Sequence, residues 1–166
     1  MGRKLNILFL CTGNSCRSQM AEGWCRRLKG ERIEPCSAGL EPRQLDPRAV
    51  QVMAEAGVDV SGHRAKHVAE LMHVPFDYVV TVCARAHETC PTFPGRARIV
   101  HMPFDDPPAL ARTAATEDEA LAPYRRVRDE IRDYVQTLPR SLPGREPDTA
   151  QPSRPAGPLS PQQTPE

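Results

Sequence analysis

Between residues 4 and 138, short apolar blocks alternate with amphipathic stretches. Lys4–Leu10 carries Leu5, Ile7, Leu8, Phe9 and Leu10 in close succession, the pattern of a strand covered on both faces. Ser18–Lys29 instead sets Met20, Ala21, Trp24, Cys25 and Leu28 at helical spacing, with Gly30 just beyond. Ile33–Ala38 reads as a second, short strand closed by Gly39. Asp46 before Pro47 starts a helix: a capping carboxylate, then a ring whose missing N–H costs nothing at the first helical position. That helix is expected to run to Ala56, to bury Val50, Met53 and Ala54, and to stop at Gly57. Tyr78–Val82 is the third strand and Arg98–Met102 a weaker fourth. Leu110–Ala122 reads as a surface excursion, and Pro123–Leu138 as a last helix burying Tyr124, Val127, Ile131, Val135 and Leu138. Strands joined by helices of this length imply crossovers, hence an α/β fold with a four-stranded parallel sheet flanked by helices on both faces. Ligands of such sheets bind beyond the C-terminal strand ends, where Cys11 follows the first strand and Cys83 the third.

Charge narrows the function classes. Lysine and arginine total 22 of the 166 residues against 21 acidic ones, a net charge of +1. Binding through nucleic-acid phosphates needs a basic surface, so that class is excluded as the main activity. The apolar run Ile7–Leu10 is too short for a membrane span or a signal core, and a soluble, monomeric, cytoplasmic protein is expected. Pro139–Glu166 holds eight prolines and almost no large apolar side chain, too little to offset the entropy of ordering it. The chain therefore divides into a domain over 1–138 and a disordered Pro-rich tail over 139–166. Six cysteines in a reducing compartment are packing residues, metal ligands or reactive thiols rather than staples.

One loop carries chemistry. Cys11-Thr12-Gly13-Asn14-Ser15-Cys16-Arg17-Ser18 joins a buried strand to a helix. Its small, turn-tolerant residues let backbone N–H groups converge on one point, at which the positive end of the helix also aims. Arg17 adds a planar fork for two oxygens of a tetrahedral oxyanion. Thr12, Gly13, Asn14, Ser15, Cys16 and Arg17 thus form an oxyanion cradle with the Cys11 thiol beneath it, and Ser18 is placed to hydrogen-bond the thiolate. Cys90 and Arg96 repeat the spacing, but Pro91 and Pro94 remove donors there and no helix follows. Cys16 is expected to point away from the anion, and Cys25 and Cys36 to be inert packing. His63, His67, His73 and His101 are expected to be hydrogen-bonded structural residues. Cys83, His87 and Cys90 fall at i, i+4 and i+7, acceptable spacing for metal ligands with His101 as a fourth; a Cys/His metal-binding module is the alternative from another class.

The run CTGNSCRSQMAE resembles the phosphate loop of the low-molecular-weight protein tyrosine phosphatases and of their relatives, the thioredoxin-coupled arsenate reductases. The likeness extends over residues 4–138, through Ser37-Ala38-Gly39, Phe104-Asp105-Asp106-Pro107 and Val127-Arg128-Asp129-Glu130-Ile131. It implies a low-molecular-weight-phosphatase-like fold and a late-loop aspartate as general acid. Asp106 aligns with that aspartate, and Asp105 is a second candidate. Phosphatases of the family tend to carry tyrosines just after this aspartate; the loop Phe104–Leu110 has none, and aromatic residues are only 5% of the chain. The resemblance favours the reductases because Cys83 and Cys90 stand where those keep a redox pair. It implies that Cys11 forms a thiol–arsenate adduct and that Cys83 then releases arsenite as a Cys11–Cys83 disulfide. Cys90 moves that bond to Cys83–Cys90, where thioredoxin reduces it. The implied role is arsenic resistance by arsenical detoxification, with no tightly bound cofactor and with phosphate and sulfate as competing anions. Cysteinyl-phosphate hydrolysis is the alternative within the family. Some of these reductases hold potassium with residues aligning with Asn14, Glu22 and Ser37 plus an acid where this chain has Lys66. The Lys66 ammonium is expected to take the ion's place against Glu22 and to leave activity insensitive to potassium.

Overall fold

The computed structural model describes residues 2–145. Four parallel strands form one sheet in the order β2-β1-β3-β4: β1 Leu5–Cys11, β2 Ile33–Gly39, β3 Tyr78–Thr81 and β4 Arg98–His101. The helices are α1 Arg17–Lys29, α2 Pro47–Glu55, α3 Ala84–Glu88, α4 Pro107–Ala111 and α5 Glu117–Gln136, with a 3-10 turn at Val68–Leu71. Ile7, Leu8, Phe9 and Leu10 are all fully buried, so β1 is covered on both faces as its unbroken apolar run requires. β4 is the edge, and Arg98, Ile99 and His101 on it are exposed.

This strand order locates the functional end. From β1 the chain goes outward to β2, then returns across β1 to place β3 on its other side. The direction of winding reverses between β1 and β3, which opens a crevice beyond their C-terminal ends. The loop after β1 and the Cys83 that follows β3 meet in that crevice.

Local rules decide the elements and explain where they depart from expectation. Asp46 Oδ1 accepts from the Arg48 N–H at 2.9 Å and caps α2. The buried face of α2 is Ala49, Val52 and Met53, with Val50 half-buried and Ala54 exposed, a rotation of about one position from the expected stripe. Leu28 is also exposed, because the last turn of α1 runs clear of the core. α5 begins at Glu117, six residues before the expected Pro123 (117 against 123). Thr116 accepts from the Glu119 N–H, Glu119 accepts from the Ala115 N–H at 2.9 Å, and three acids occupy the first turn. These cap and dipole effects outweigh the proline, which sits inside the helix. Leu110–Ala122 is therefore not a plain excursion: it contains the end of α4 and the start of α5.

The folded part also runs past Leu138, the expected domain boundary. Ser141 N–H bonds to the Thr137 carbonyl, Leu142 is 3% exposed, and the Tyr78 hydroxyl donates to the Pro143 carbonyl at 2.7 Å. Prolines 139 and 143 thus belong to a strap packed under the N-terminal end of β3; the rest of the expected tail, 146–166, lies outside the described residues. Leu142→Ala should lower the unfolding free energy by about 2–4 kcal/mol, as for a buried leucine, in urea titration. A change under about 0.5 kcal/mol would show that the strap does not belong to the core.

Candidate active site

The loop after β1 is built around Asn14, whose φ is 48°. Left-handed backbone is more accessible to asparagine than to most side chains. Here the side chain fixes it: Nδ2 donates to Ser18 Oγ at 2.8 Å, and Oδ1 accepts from Gln19 Nε2 at 3.0 Å and from the Lys66 N–H at 3.1 Å. Ser18 Oγ in turn donates to Cys11 Sγ at 3.2 Å. Asn14, Ser18 and Gln19 are all fully buried. Gly39 lets β2 approach this turn, since a Cβ there would lie 2.7 Å from the Thr12 carbonyl and 2.9 Å from the Asn14 nitrogen. No side chain caps α1, so its first-turn N–H groups remain for an anion at the loop.

Arg17 is anchored across the crevice. One guanidinium nitrogen donates to the Phe104 carbonyl at 3.0 Å, and another lies 3.6 Å from Asp106 Oδ1. Asp105 turns away and pairs with Arg126 at 3.0 Å. The structure thus separates the first candidate acid from the second: Asp106 faces Arg17 and lines the same cavity as Cys11.

All six cysteines are free thiols, in different surroundings. Cys83 is 4% exposed and its Sγ lies 3.4 Å from Thr12 Oγ1, beside the cradle. Cys90 follows α3, half-buried, with Sγ 3.6 Å from the Pro91 carbonyl. Burial pushes the Cys90 and Cys36 thiols up, Cys25 to about 12, and Cys16 well above the ordinary range. These four are held as neutral thiols and are poor nucleophiles as they stand. Cys16 is buried at the head of α1, where Asp46 and Cys11 add to the desolvation.

Among the described residues, no group of three His, Cys, Asp or Glu converges to hold a metal. His87 and His101 stack on each other at 4.1 Å instead, with Thr81 Oγ1 at 2.9 Å from His101 Nδ1. That pairing fastens α3 to β4 and leaves Cys83 turned to the cradle. His67 caps the 3-10 turn by accepting from the Ala69 N–H.

Sequence reading expected Lys66 against Glu22 behind the cradle but missed the parts that Gln19 and His63 play there. Gln19 Nε2 also bonds to the Asn14 and Arg64 carbonyls, both at 3.1 Å, while its Oε1 lies 3.0 Å from His63 Nδ1. Glu22, 6% exposed, sits 3.2 Å from the same His63 nitrogen. Burial holds the His63 pKa down against the pull of Glu22. Ser37 Oγ donates to Glu22 Oε1 at 3.0 Å, and the Lys66 ammonium approaches that oxygen to 3.8 Å. Lys66 thus balances the carboxylate beside Asn14 and Ser37. The unfolding midpoint should be equal in potassium and sodium chloride at matched ionic strength, and Lys66→Met should lower it by several degrees in both. A rise specific to potassium would show that the ammonium does not occupy the place of an ion.

Known proteins are similar to this chain in sequence and fold. The model of the low molecular weight phosphotyrosine protein phosphatase family matches residues 6–146. A protein of Halalkalibacterium halodurans named arsenate reductase is 43% identical over 138 residues, 83% of this chain and 96% of its own length. One of Bacillus subtilis with the same name is 46% identical over 125 residues, 75% of this chain and 88% of its own. A solved arsenate reductase in the phosphate binding state superposes with a TM-score of 0.65 at 28% identity, over 81% of this chain and 95% of that one. The arsenate reductase of Archaeoglobus fulgidus gives 0.62 at 29%, over 80% and 97%. With the match running from β1 to the end of the C-terminal strap, the chain belongs to the low molecular weight phosphotyrosine protein phosphatase family.

Proposed function

We propose that this protein is an arsenate reductase that works through three thiols and takes its electrons from thioredoxin. The observation that carries this reading is the position of Cys83, buried beside the cradle with its sulfur 3.4 Å from Thr12. A hydrolase resolves its intermediate with water and needs no second sulfur there. The names of the similar proteins point the same way.

In this mechanism arsenate lies over Cys11, its oxygens held by loop N–H groups and by Arg17. Ser18 donates to the Cys11 sulfur and holds it in place, and that sulfur attacks arsenic. Asp106 gives its proton to the departing oxygen, which leaves as water. The Cys83 thiolate then attacks the Cys11 sulfur; the electron pair of the sulfur–arsenic bond passes to arsenic, arsenite leaves, and a Cys11–Cys83 disulfide remains. Cys90 attacks the Cys83 sulfur, restoring the Cys11 thiolate and leaving Cys83–Cys90 for reduction by a dithiol. Phosphate and sulfate compete for the same cradle. Arsenic resistance is the physiological role that follows.

The last exchange demands movement. Cys83 and Cys90 bracket the five-residue helix α3, which alone rises roughly 7.5 Å at 1.5 Å per residue. A disulfide needs Cα atoms about 4.4–6.8 Å apart. α3 must therefore open, which gives up the His87–His101 stack and carries Cys90 out of the surroundings that keep it protonated.

Two measurements test this. Cys11→Ser, Cys83→Ser and Cys90→Ser should each bring arsenate reduction by thioredoxin, thioredoxin reductase and NADPH to background, while any aryl phosphate hydrolysis is lost only in Cys11→Ser. Catalytic arsenate turnover surviving in the Cys83 or Cys90 variant would overturn the relay. Asp106→Asn should reduce the arsenate rate by about 10²-fold, at the lower end for a general acid, whereas Asp105→Asn should stay within about twofold, as for an exposed ion pair. Equal losses in the two variants would remove Asp106 from the acid's role.

A further inference from the structure

The cavity over Cys11 is larger and more basic than a single tetrahedral anion requires. It measures about 270 Å³, close to the roughly 300–1,000 Å³ of pockets that take whole small molecules. Four arginines line it, 17, 43, 85 and 112, against one carboxylate, Asp106, and no aromatic side chain. Two of the four are already engaged: Arg17 with Phe104 and Asp106, and Arg85 with Glu41 at 2.7 Å. Among the described residues, the guanidinium groups of Arg43 and Arg112 have no ion-pair or hydrogen-bond partner.

These two come from different elements and reach the same opening. Arg43 follows β2; its N–H donates to the Gly13 carbonyl at 2.9 Å, and its stem lies so close to the loop that a Cβ on Gly13 would be 3.4 Å from Cδ. Arg112 ends α4, the helix that Asp106 begins. Both are exposed residues that line the cavity, so a ligand can reach them without displacing packed side chains. An aryl group would find no ring to stack on here, whereas a second anionic group would find two forks.

We propose that Arg43 and Arg112 form an outer anion subsite, which binds a second phosphate, phosphonate or carboxylate group carried by an oxyanion seated in the cradle. The ligand class is a small polyanion, such as a diphosphate or a phosphorylated acid. The proposal rests on the cradle being an oxyanion site and adds a selectivity that the reduction of arsenate alone does not use.

Protection of Cys11 from iodoacetamide, followed by peptide mass spectrometry on the full reduced protein, tests it. Methylphosphonate occupies the cradle alone; methylenediphosphonate and phosphonoacetate add a second anionic group; phenylphosphonate adds a neutral ring. Methylenediphosphonate should give half-protection at a concentration at least about tenfold lower than methylphosphonate, about 1.4 kcal/mol, with phosphonoacetate between them and phenylphosphonate no better than methylphosphonate. In the Arg43→Gln/Arg112→Gln double variant the ratio should fall to about twofold or less, with methylphosphonate as the internal reference in each protein. A wild-type ratio under about twofold, or a ratio that persists in the double variant, would overturn the subsite. No protection by methylphosphonate itself would instead sink the reading of the cradle.

Discussion

Asn14 is fully buried and holds a positive φ, a conformation that costs a residue with a Cβ about 1–2 kcal/mol. It persists because the surroundings over-determine it. The amide side chain uses both ends at once, donating to Ser18 and accepting from Gln19 and from the backbone of Lys66. Each partner comes from a place fixed by other forces: Ser18 and Gln19 from the first turns of α1, Lys66 from the segment beside β2. The turn at Asn14 directs the loop, and the same residue orients the hydroxyl that reaches the Cys11 sulfur. The shape of the loop and the hydrogen bond to the Cys11 sulfur therefore share one support. This is the arrangement expected of a site that must present an anion-binding surface before the anion arrives.

Behind that support lies a charge problem solved locally. Glu22 is nearly buried, and an isolated carboxylate in such a place is costly. Ser37, His63, Lys66 and Arg26 surround it. The lysine is the economical member, because its backbone N–H already serves Asn14 while its ammonium serves Glu22. His63 touches both Gln19 and Glu22, so the carboxylate and the cradle turn are joined through two hydrogen-bonded side chains. Restraint at Glu22 is transmitted to Asn14 by contact rather than by long-range field.

Much of this was legible in the chain. β1 announces itself because four consecutive buried apolar residues allow no other covered element of that length, and the cradle because glycine, asparagine and serine between a strand and a helix leave backbone donors bare. Errors cluster where two local signals compete. Pro123 reads as a helix start, yet Thr116 and the acidic turn after it form a stronger one. The strap at 139–145 reads as tail because prolines dominate it, while the deciding contacts, Leu142 in the core and Tyr78 to Pro143, join positions far apart in sequence. The Gln19–His63–Glu22 network was illegible for the same reason: a polar side chain on a helix discloses nothing about a loop some 44 residues on. Asp105 and Asp106 are told apart by two arginines distant in sequence: Arg126 claims the first and Arg17 faces the second.

The same cradle serves hydrolysis and reduction, so the cradle cannot decide between them. What decides is which nucleophile reaches the Cys11 adduct. Water attacks wherever the crevice is open, and a phosphatase keeps that approach clear. Here a buried thiol stands beside Thr12, while the third sulfur is held neutral by burial behind a five-residue helix. That difference imposes an order. In the proposed relay Cys83 acts while α3 is folded, and Cys90 acts after α3 opens and water reaches its thiol. In that relay a Cys83–Cys90 bond formed early would consume the thiol that must meet the adduct, and the folded α3, fastened to β4 through the His87–His101 stack, stands between the two sulfurs.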